Sequence, residues 1–144
     1  MENIIGDFRK HSFLSNFYMT KVEYDGSLYP SSEHAYQAAK TTNLKDREWI
    51  CSSKSPAEAK KRGKELHIRE DWDSVKVQIM EQILKSKFKN KELQQKLLDT
   101  GNAKLVEGNW WGDTFWGFCK GKGENMLGQL LMKIREELVD HEKS

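Results

Sequence analysis

The most regular pattern in the chain lies towards its C-terminal end, where Met126, Leu127, Leu130, Leu131, Ile134 and Leu138 recur at helical spacing. Lys133, Arg135, Glu136 and Glu137 fill the other side, so this is a helix with one buried face. Val75, Ile79, Met80, Ile83, Leu84 and Phe88 predict a second amphipathic helix, with Asp73 as its cap. Leu93, Leu97 and Leu98 give a shorter one that Gly101 stops. Ser55-Pro56-Ala57-Glu58 reads as a helix start, with a capping serine, a proline at the first helical position and a glutamate completing a capping box. That helix is expected to reach about Leu66 by its composition. Before residue 30 the period changes. Lys21-Val22-Glu23-Tyr24 and Leu28-Tyr29 flank Asp25-Gly26-Ser27, a hairpin signal. Pro30-Ser31-Ser32 then ends the strand and offers an N-cap hydroxyl to a helix that carries Glu33, Gln37 and Lys40 on one face. The pattern predicts a mainly α fold: a single compact helical domain, residues 1–144, with a small N-terminal β-hairpin.

Composition narrows the class. A chain of 144 residues buries a core without disulfides. Lysine and arginine number 24 against 22 acidic residues, a net charge of +2, which lacks the basic excess of a protein that coats duplex nucleic acid. The two cysteines, Cys51 and Cys119, have no metal spacing and fit a reducing compartment. With 32% charged residues, a mean hydropathy of −0.81 and neither a signal-peptide core nor a membrane-length apolar run, a cytoplasmic protein is expected.

Candidate chemistry concentrates in two places. Residues 109–125 hold Trp110, Trp111 and Trp116 among Gly112, Gly117, Gly121 and Gly123, and run into the last helix. Tryptophans offer flat faces to a base or sugar, and a helix N-terminus behind glycines attracts anions. The Walker pattern fails at Gly123, and the dinucleotide fingerprint fails at Met126. A nucleotide-like ligand and an aromatic satellite core stand level as readings of this segment. The stripe of Glu33, Gln37 and Lys40 reads on pattern alone as a solvated face opposite Ala35, Ala38 and Ala39, although Tyr36 still needs a place to pack. His11, His34, His67 and His141 show no metal-ligand spacing, and no zinc site is expected. Lys60-Lys61-Arg62 reads as a solvated run that can also steer an anion.

A longer series of short motifs runs from residue 8 to residue 138. It comprises Phe13-Leu14-Ser15-Asn16-Phe17-Tyr18, the Asp25-Gly26 turn and Pro30-x-Ser32-Glu33-His34-x-x-Gln37-Ala38-x-Lys40. Ser55-Pro56-x-x-Ala59, Arg69-x-Asp71-Trp72, Val75-Lys76 with Met80, and Leu105-Val106-Glu107 follow. Asp113-x-x-Trp116-Gly117 and Gly121-x-Gly123-x-Asn125-x-Leu127-Gly128 close it, with Leu131-Met132 and Arg135 beyond. In this order and spacing they resemble the NADAR family, also called YbiA-like proteins.

The resemblance implies a mainly helical N-glycosidase that cleaves a bond between ribose and nitrogen, with no cofactor and no metal. It implies a small nucleotide-like substrate. One class is ADP-ribose on a nucleobase, notably guanine, free or within nucleic acid. The other is the phosphorylated ribosylamino-pyrimidine intermediates of riboflavin synthesis. It makes Glu33 the main catalytic carboxylate, with Asp113 orienting water or ribose hydroxyls and Glu107 a candidate acid for the leaving nitrogen. Lys40 either neutralises phosphate or attacks the opened sugar as an amine. Asn16, Phe17, Gln37 and Asn125 are expected to line the pocket, and Trp72, Trp111 and Trp116 to stack, with Gly117 beside them. Gly121, Gly123 and the helix N-terminus at Asn125 are expected to hold phosphate, and Phe8-Arg9 to guard its entry. Adjacent Trp110 and Trp111 depart from the family pattern. The competing class is a non-catalytic module that binds ADP-ribose or a nucleotide.

Overall fold

A computed structural model describes residues 3–143, without the side chain of Lys143. Its elements in chain order are β1 (Ile4–Ile5), a 3-10 turn (Ser12–Leu14), β2 (Met19–Tyr24), β3 (Ser27–Ser31) and α1 (Ser32–Ala39). Then come α2 (Leu44–Cys51), α3 (Pro56–Gly63), α4 (Trp72–Lys87), α5 (Lys91–Asp99), β4 (Lys104–Leu105) and α6 (Met126–Lys143). The mainly helical fold with a hairpin near its start is the one the periodicity predicts. The chain folds as two compact units, one of them Asn16–Lys87 and the other formed by the segments before and after it.

In the Asn16–Lys87 unit, Asp25 and Gly26 adopt φ of 50° and 83°. Two positive values at the centre of a two-residue turn match the twist of the strands, here with Tyr24 opposite Ser27. β3 runs straight into α1. Ser31 Oγ caps the helix by accepting from the His34 N–H at 3.1 Å, and it also bonds His34 Nδ1 at 2.7 Å. His34 Nε2 meets the Ser53 carbonyl at 3.0 Å, so this histidine is a fully satisfied core residue.

All eight residues of α1 are buried. The small Ala35, Ala38 and Ala39 let the hairpin, α2, α3 and α4 close around the helix. The solvated face expected from its polar stripe is therefore corrected: Glu33 and Gln37 are buried, and Lys40 is half-buried.

α2 is absent from the sequence reading. Its cap is Asn43, whose side chain accepts from Asp46 N–H at 3.0 Å. Its buried Arg47 donates to the Thr41 carbonyl at 2.8 Å and to Asp25 Oδ2 at 2.7 Å, tying the helix to the hairpin turn. α3 starts as expected, with Ser55 Oγ accepting from Glu58 N–H at 3.1 Å. It ends at Gly63 rather than near Leu66, because Lys64 and Glu65 bond the carbonyls three residues back, Lys61 and Arg62. α4 begins at Trp72, and the Asp71 carbonyl accepts from Ser74 and Val75. Asp73, the expected cap, sits inside the first turn and pairs with Lys76 at 3.5 Å.

At the end of α4, Lys87 is 1% exposed, with its ammonium 5.7 Å from the centre of the Tyr18 ring. Burial pushes its pKa down to about 7. The unfolded chain then holds one more proton between about pH 7 and about 10.5. The burial penalty is therefore full below pH 7 and fades as pH rises. Relative to a Lys87→Met variant, the wild type should gain on the order of 2 kcal/mol of stability between pH 6 and pH 9. Urea unfolding of both proteins at the two pH values measures it, and parallel pH dependence would contradict it.

In the second unit, β1 and β4 form a short parallel ladder, Ile4 with Lys104 and Ile5 with Leu105. α6 buries Leu127, Leu130, Leu131 and Ile134 and packs on β4 and α5. Arg135, expected on its polar side, is buried and donates to Thr100 Oγ1 at 2.8 Å. α5 is capped by Asn90, and Gly101 follows it at φ 63°. No helix among the described residues is long and apolar enough to cross a membrane.

Candidate active site

The polar stripe of α1 is the centre of the first cluster. Glu33 stands in the first turn, 8% exposed, and its N–H donates to the Asn16 carbonyl at 3.0 Å. One turn on, Gln37 is 3% exposed, and its Nε2 donates to Glu33 Oε2 at 2.6 Å. That bond fixes one carboxylate oxygen and orients the amide. A buried carboxylate held this way is costly to place and is a candidate for function. Asn16 Nδ2 contacts Met80 Sδ at 3.6 Å, while Asn16 Oδ1 is a buried acceptor with no hydrogen-bond partner among the described residues.

Lys40 follows the last turn of α1, half-buried, with its ammonium 5.5 Å from the centre of the Tyr36 ring. Burial lowers its pKa from the usual lysine value; Glu33 opposes this, and the charges of Lys60, Lys64 and Lys76 add to it. The charges of these lysines act on Lys40 together with that of Glu33, a local positive excess that suits an anion. Tyr36 also packs against Trp72, ring centres 5.2 Å apart and tilted by 54°. Trp72 is 8% exposed, so it supports Tyr36 and presents little free face for stacking.

The Arg69-x-Asp71-Trp72 motif acquires a structural meaning. Arg69 N–H donates to the Lys40 carbonyl at 2.8 Å, and its guanidinium grips Asp71 through bonds of 2.6 and 3.0 Å. The guanidinium holds the Asp71 carboxyl below the usual carboxylate range. The motif thus ties the chain before α4 to the carbonyl end of α1, where positive charge is favourable. Phe17 is partly exposed in the same unit.

The second cluster is the loop that leads into α6. A bridge between Gly108 and Phe118 brings its two ends side by side. Asn109 spans the loop: its Nδ2 donates to the Asp113 carbonyl at 2.8 Å and to Glu107 Oε2 at 3.3 Å, and its Oδ1 accepts from Asp113 N–H at 3.1 Å. Asp113 Oδ1 accepts from the N–H groups of Phe115 and Trp116 at 3.0 and 2.9 Å, so this oxygen folds the loop. Asn125, buried and at φ 52°, accepts from Glu107 N–H at 2.8 Å and donates to the Leu105 carbonyl at 2.9 Å. Its amide is spent on clamping β4 to the start of α6.

At the α6 N-terminus, where the sequence predicts a phosphate cradle, the loop supplies acceptors of its own. The N–H groups of Glu124, Asn125, Met126 and Leu127 donate to the carbonyls of Thr114, Gly117, Phe115 and Trp116. The loop itself satisfies the donors that an anion would use. The glycines fit this account. A side chain at Gly117 would meet the Glu107 carboxylate and the Asn109 amide, and Gly123, at φ 143°, has the Phe118 Cα 2.9 Å from where its Cβ would be. Gly121 takes φ 81° in open space.

Of the loop tryptophans, Trp116 is half-buried against Phe115, ring centres 4.9 Å apart. Trp110 and Trp111 meet edge to face at 5.5 Å and are 74% and 49% exposed. Arg9 is exposed and paired with Asp7 at 3.1 Å, next to the buried anchor Phe8.

The structure thus gathers Asn16, Phe17, Glu33, Gln37, Lys40 and Trp72 in one unit. Arg9, Glu107, Asp113, Gly117, Trp116 and Asn125 lie in the other, with Trp111, Gly121 and Gly123. Sequence reasoning missed Asn109 and Tyr36 as organisers. Asn109 had a signal, since an asparagine four residues before an aspartate in a glycine-rich turn invites side-chain bonding to the backbone. Among the described residues, no group of three or more His, Cys, Asp or Glu side chains could hold a metal ion.

Comparison with known proteins adds an independent line. The model of the NADAR domain family matches residues 5–139. N-glycosidase YbiA of Escherichia coli (strain K12) is 42% identical over 138 residues, covering 93% of this chain and 82% of that protein. A riboflavin biosynthesis protein of Vibrio vulnificus (strain YJ016) is 38% identical over 135 residues; these are 91% of this chain but span only 36% of that protein. The NMR structure of the E. coli protein YbiA matches with a TM-score of 0.86 at 38% identity, over 100% of this chain and 90% of that one.

Proposed function

Because the chain belongs to the NADAR domain family, we propose that it is an N-glycosidase that hydrolyses a ribosyl C–N bond in a phosphorylated, nucleotide-like substrate. The observation that carries this reading is the buried Glu33 carboxylate, fixed by Gln37 at 2.6 Å on an inward face of α1. The name of the E. coli relative, an N-glycosidase, supports the same reaction class, and that of the Vibrio relative, a riboflavin biosynthesis protein, supports a substrate from that synthesis.

Cleavage at the ribose builds positive charge on C1′, shared with O4′ while the ring is closed and with nitrogen once it opens. Glu33 stabilises that charge, and the overall reaction places a water hydroxyl on C1′ and a proton on the leaving nitrogen. A general acid supplies that proton; in its own unit, Glu107 Oε2 accepts from Asn109 Nδ2 at 3.3 Å. Asp113 keeps the loop in shape through Oδ1. The lysines around Lys40 supply an anion field for the substrate phosphates. Of the two roles open to Lys40, its lowered pKa favours the amine. The base nitrogen's lone pair opens the ring as O4′ takes a proton, the neutral amine adds to C1′, the base leaves carrying a proton from that amine, and water then hydrolyses the resulting imine, returning the lysine and the free sugar.

Two substrates fit this chemistry: ADP-ribose attached to a guanine base, and a ribosylamino-pyrimidine phosphate. The test is incubation with each in turn, with chromatography of the products. The expected result is free base and free sugar phosphate from at least one of them. Tight binding of both without release would instead identify a nucleotide-binding module.

A further inference from the structure

Gly63 is the last residue of α3, in ordinary helical conformation and with no turn to make. Glycine is disfavoured there relative to alanine, so a structural need must hold it. The need lies across the helix interface. A Cβ built on Gly63 would overlap Gln37 Oε1, with Gln37 Cδ at 2.7 Å and Gln37 Cβ at 3.3 Å. The Gln37 side chain lies directly over the bare Cα of Gly63. Its other end, Nε2, reaches Glu33 Oε2 at 2.6 Å. Because Nε2 must face the carboxylate, Oε1 must face α3, and it is a buried acceptor with no hydrogen-bond partner among the described residues. The amide is held by space as much as by its one hydrogen bond.

We propose that Gly63 is a positioning residue for the active site: its missing side chain forms the slot that keeps Gln37 extended and its N–H on the Glu33 carboxylate. Gly63 acts only through Gln37 and touches no substrate. The inference rests on Glu33 being the catalytic carboxylate for its effect on turnover, but not for its effect on the Gln37 amide.

The experiment compares Gly63→Ala, Gln37→Ala and the double variant with the wild type. Turnover is measured on the substrate that the wild type cleaves, and the Gln37 side-chain NH2 resonance is recorded by NMR. In Gly63→Ala that resonance should move towards the position of an unbonded glutamine amide. Its kcat should fall roughly 10- to 100-fold with KM little changed, as for a reacting group displaced by about 1 Å. The double variant should be no slower than Gln37→Ala alone, because the slot no longer has an occupant. A wild-type kcat and an unmoved resonance in Gly63→Ala would overturn the proposal, as would losses that multiply in the double variant. If Gly63→Ala folds poorly, the double variant should recover the Tm of Gln37→Ala, and failure to recover it overturns the steric account. Should the wild type cleave neither substrate, the catalytic reading fails while the resonance still decides the role of Gly63.

Discussion

Replacing Glu33 by glutamine should cut the rate of base release by about 1000-fold or more while leaving the fold intact. The magnitude follows from what the carboxylate does. Losing one preorganised group that meets charge in the transition state costs roughly 100- to 1000-fold in known cases. Glu33 would carry a full negative charge in a buried position, so its loss belongs at or beyond the upper end. The fold should hold because glutamine has nearly the same shape, and its carbonyl oxygen can accept the Gln37 N–H that Glu33 Oε2 now accepts at 2.6 Å. Glu33→Ala should be as inactive but also less stable by about 1–3 kcal/mol, since it leaves that buried donor unsatisfied. Thermal unfolding beside turnover separates the two effects. Substrate affinity should change little, because the charge being stabilised develops only as the bond breaks.

The second large effect belongs to Lys40. Lys40→Met keeps an apolar stem of similar length and removes the amine, and its activity should fall roughly 100-fold or more. Lys40→Arg keeps a positive charge but supplies no nucleophilic amine, so it should be almost as slow. Borohydride added during turnover should attach the sugar covalently to the wild-type Lys40 peptide and to neither variant. Recovery of activity in Lys40→Arg, with no trapped adduct in the wild type, would assign the residue to phosphate neutralisation instead. The pH dependence has a definite sign. The reacting form is the neutral amine, so the rate rises with pH through the Lys40 pKa, which burial lowers from the ordinary lysine value. Removing a neighbouring positive charge, as in Lys60→Met, weakens that lowering and should move the rise to higher pH.

How far the molecule can be read from its sequence depends on whether a residue answers to its neighbours along the chain or across space. α4, α5 and α6 each bury a stripe at helical spacing, and those stripes are visible as written. The hairpin is visible because Asp25-Gly26 must take two positive φ values. α2 is not visible: Leu44, Trp49, Ile50 and Cys51 form no single stripe, and Leu44 is 73% exposed. The β1–β4 ladder joins residues about a hundred positions apart over two pairs, which leaves no local pattern.

The site divides in the same way. Glu33, Gln37 and Lys40 can be placed on one helical face from spacing, but spacing alone puts that face in solvent. Its burial comes from alanines on the helix and from a glycine on another element, Gly63. A lone glycine at a helix end reads as a stop signal, and only the Gln37 side chain above it reveals a packing requirement. The segment before α6 shows the converse. Glycines before a helix are the correct signal for exposed N–H groups, yet here the carbonyls of residues 114–117 take them. Sequence marks the donors, and only the folded loop shows which acceptor reaches them.

The most direct test of the role assigned to Glu33 is base release at saturating substrate by the wild type and by Glu33→Gln, with binding measured in parallel by calorimetry. The account predicts steady release by the wild type, and in the variant an unchanged Kd with release slower by about 1000-fold or more. A folded Glu33→Gln that releases base at the wild-type rate would contradict it.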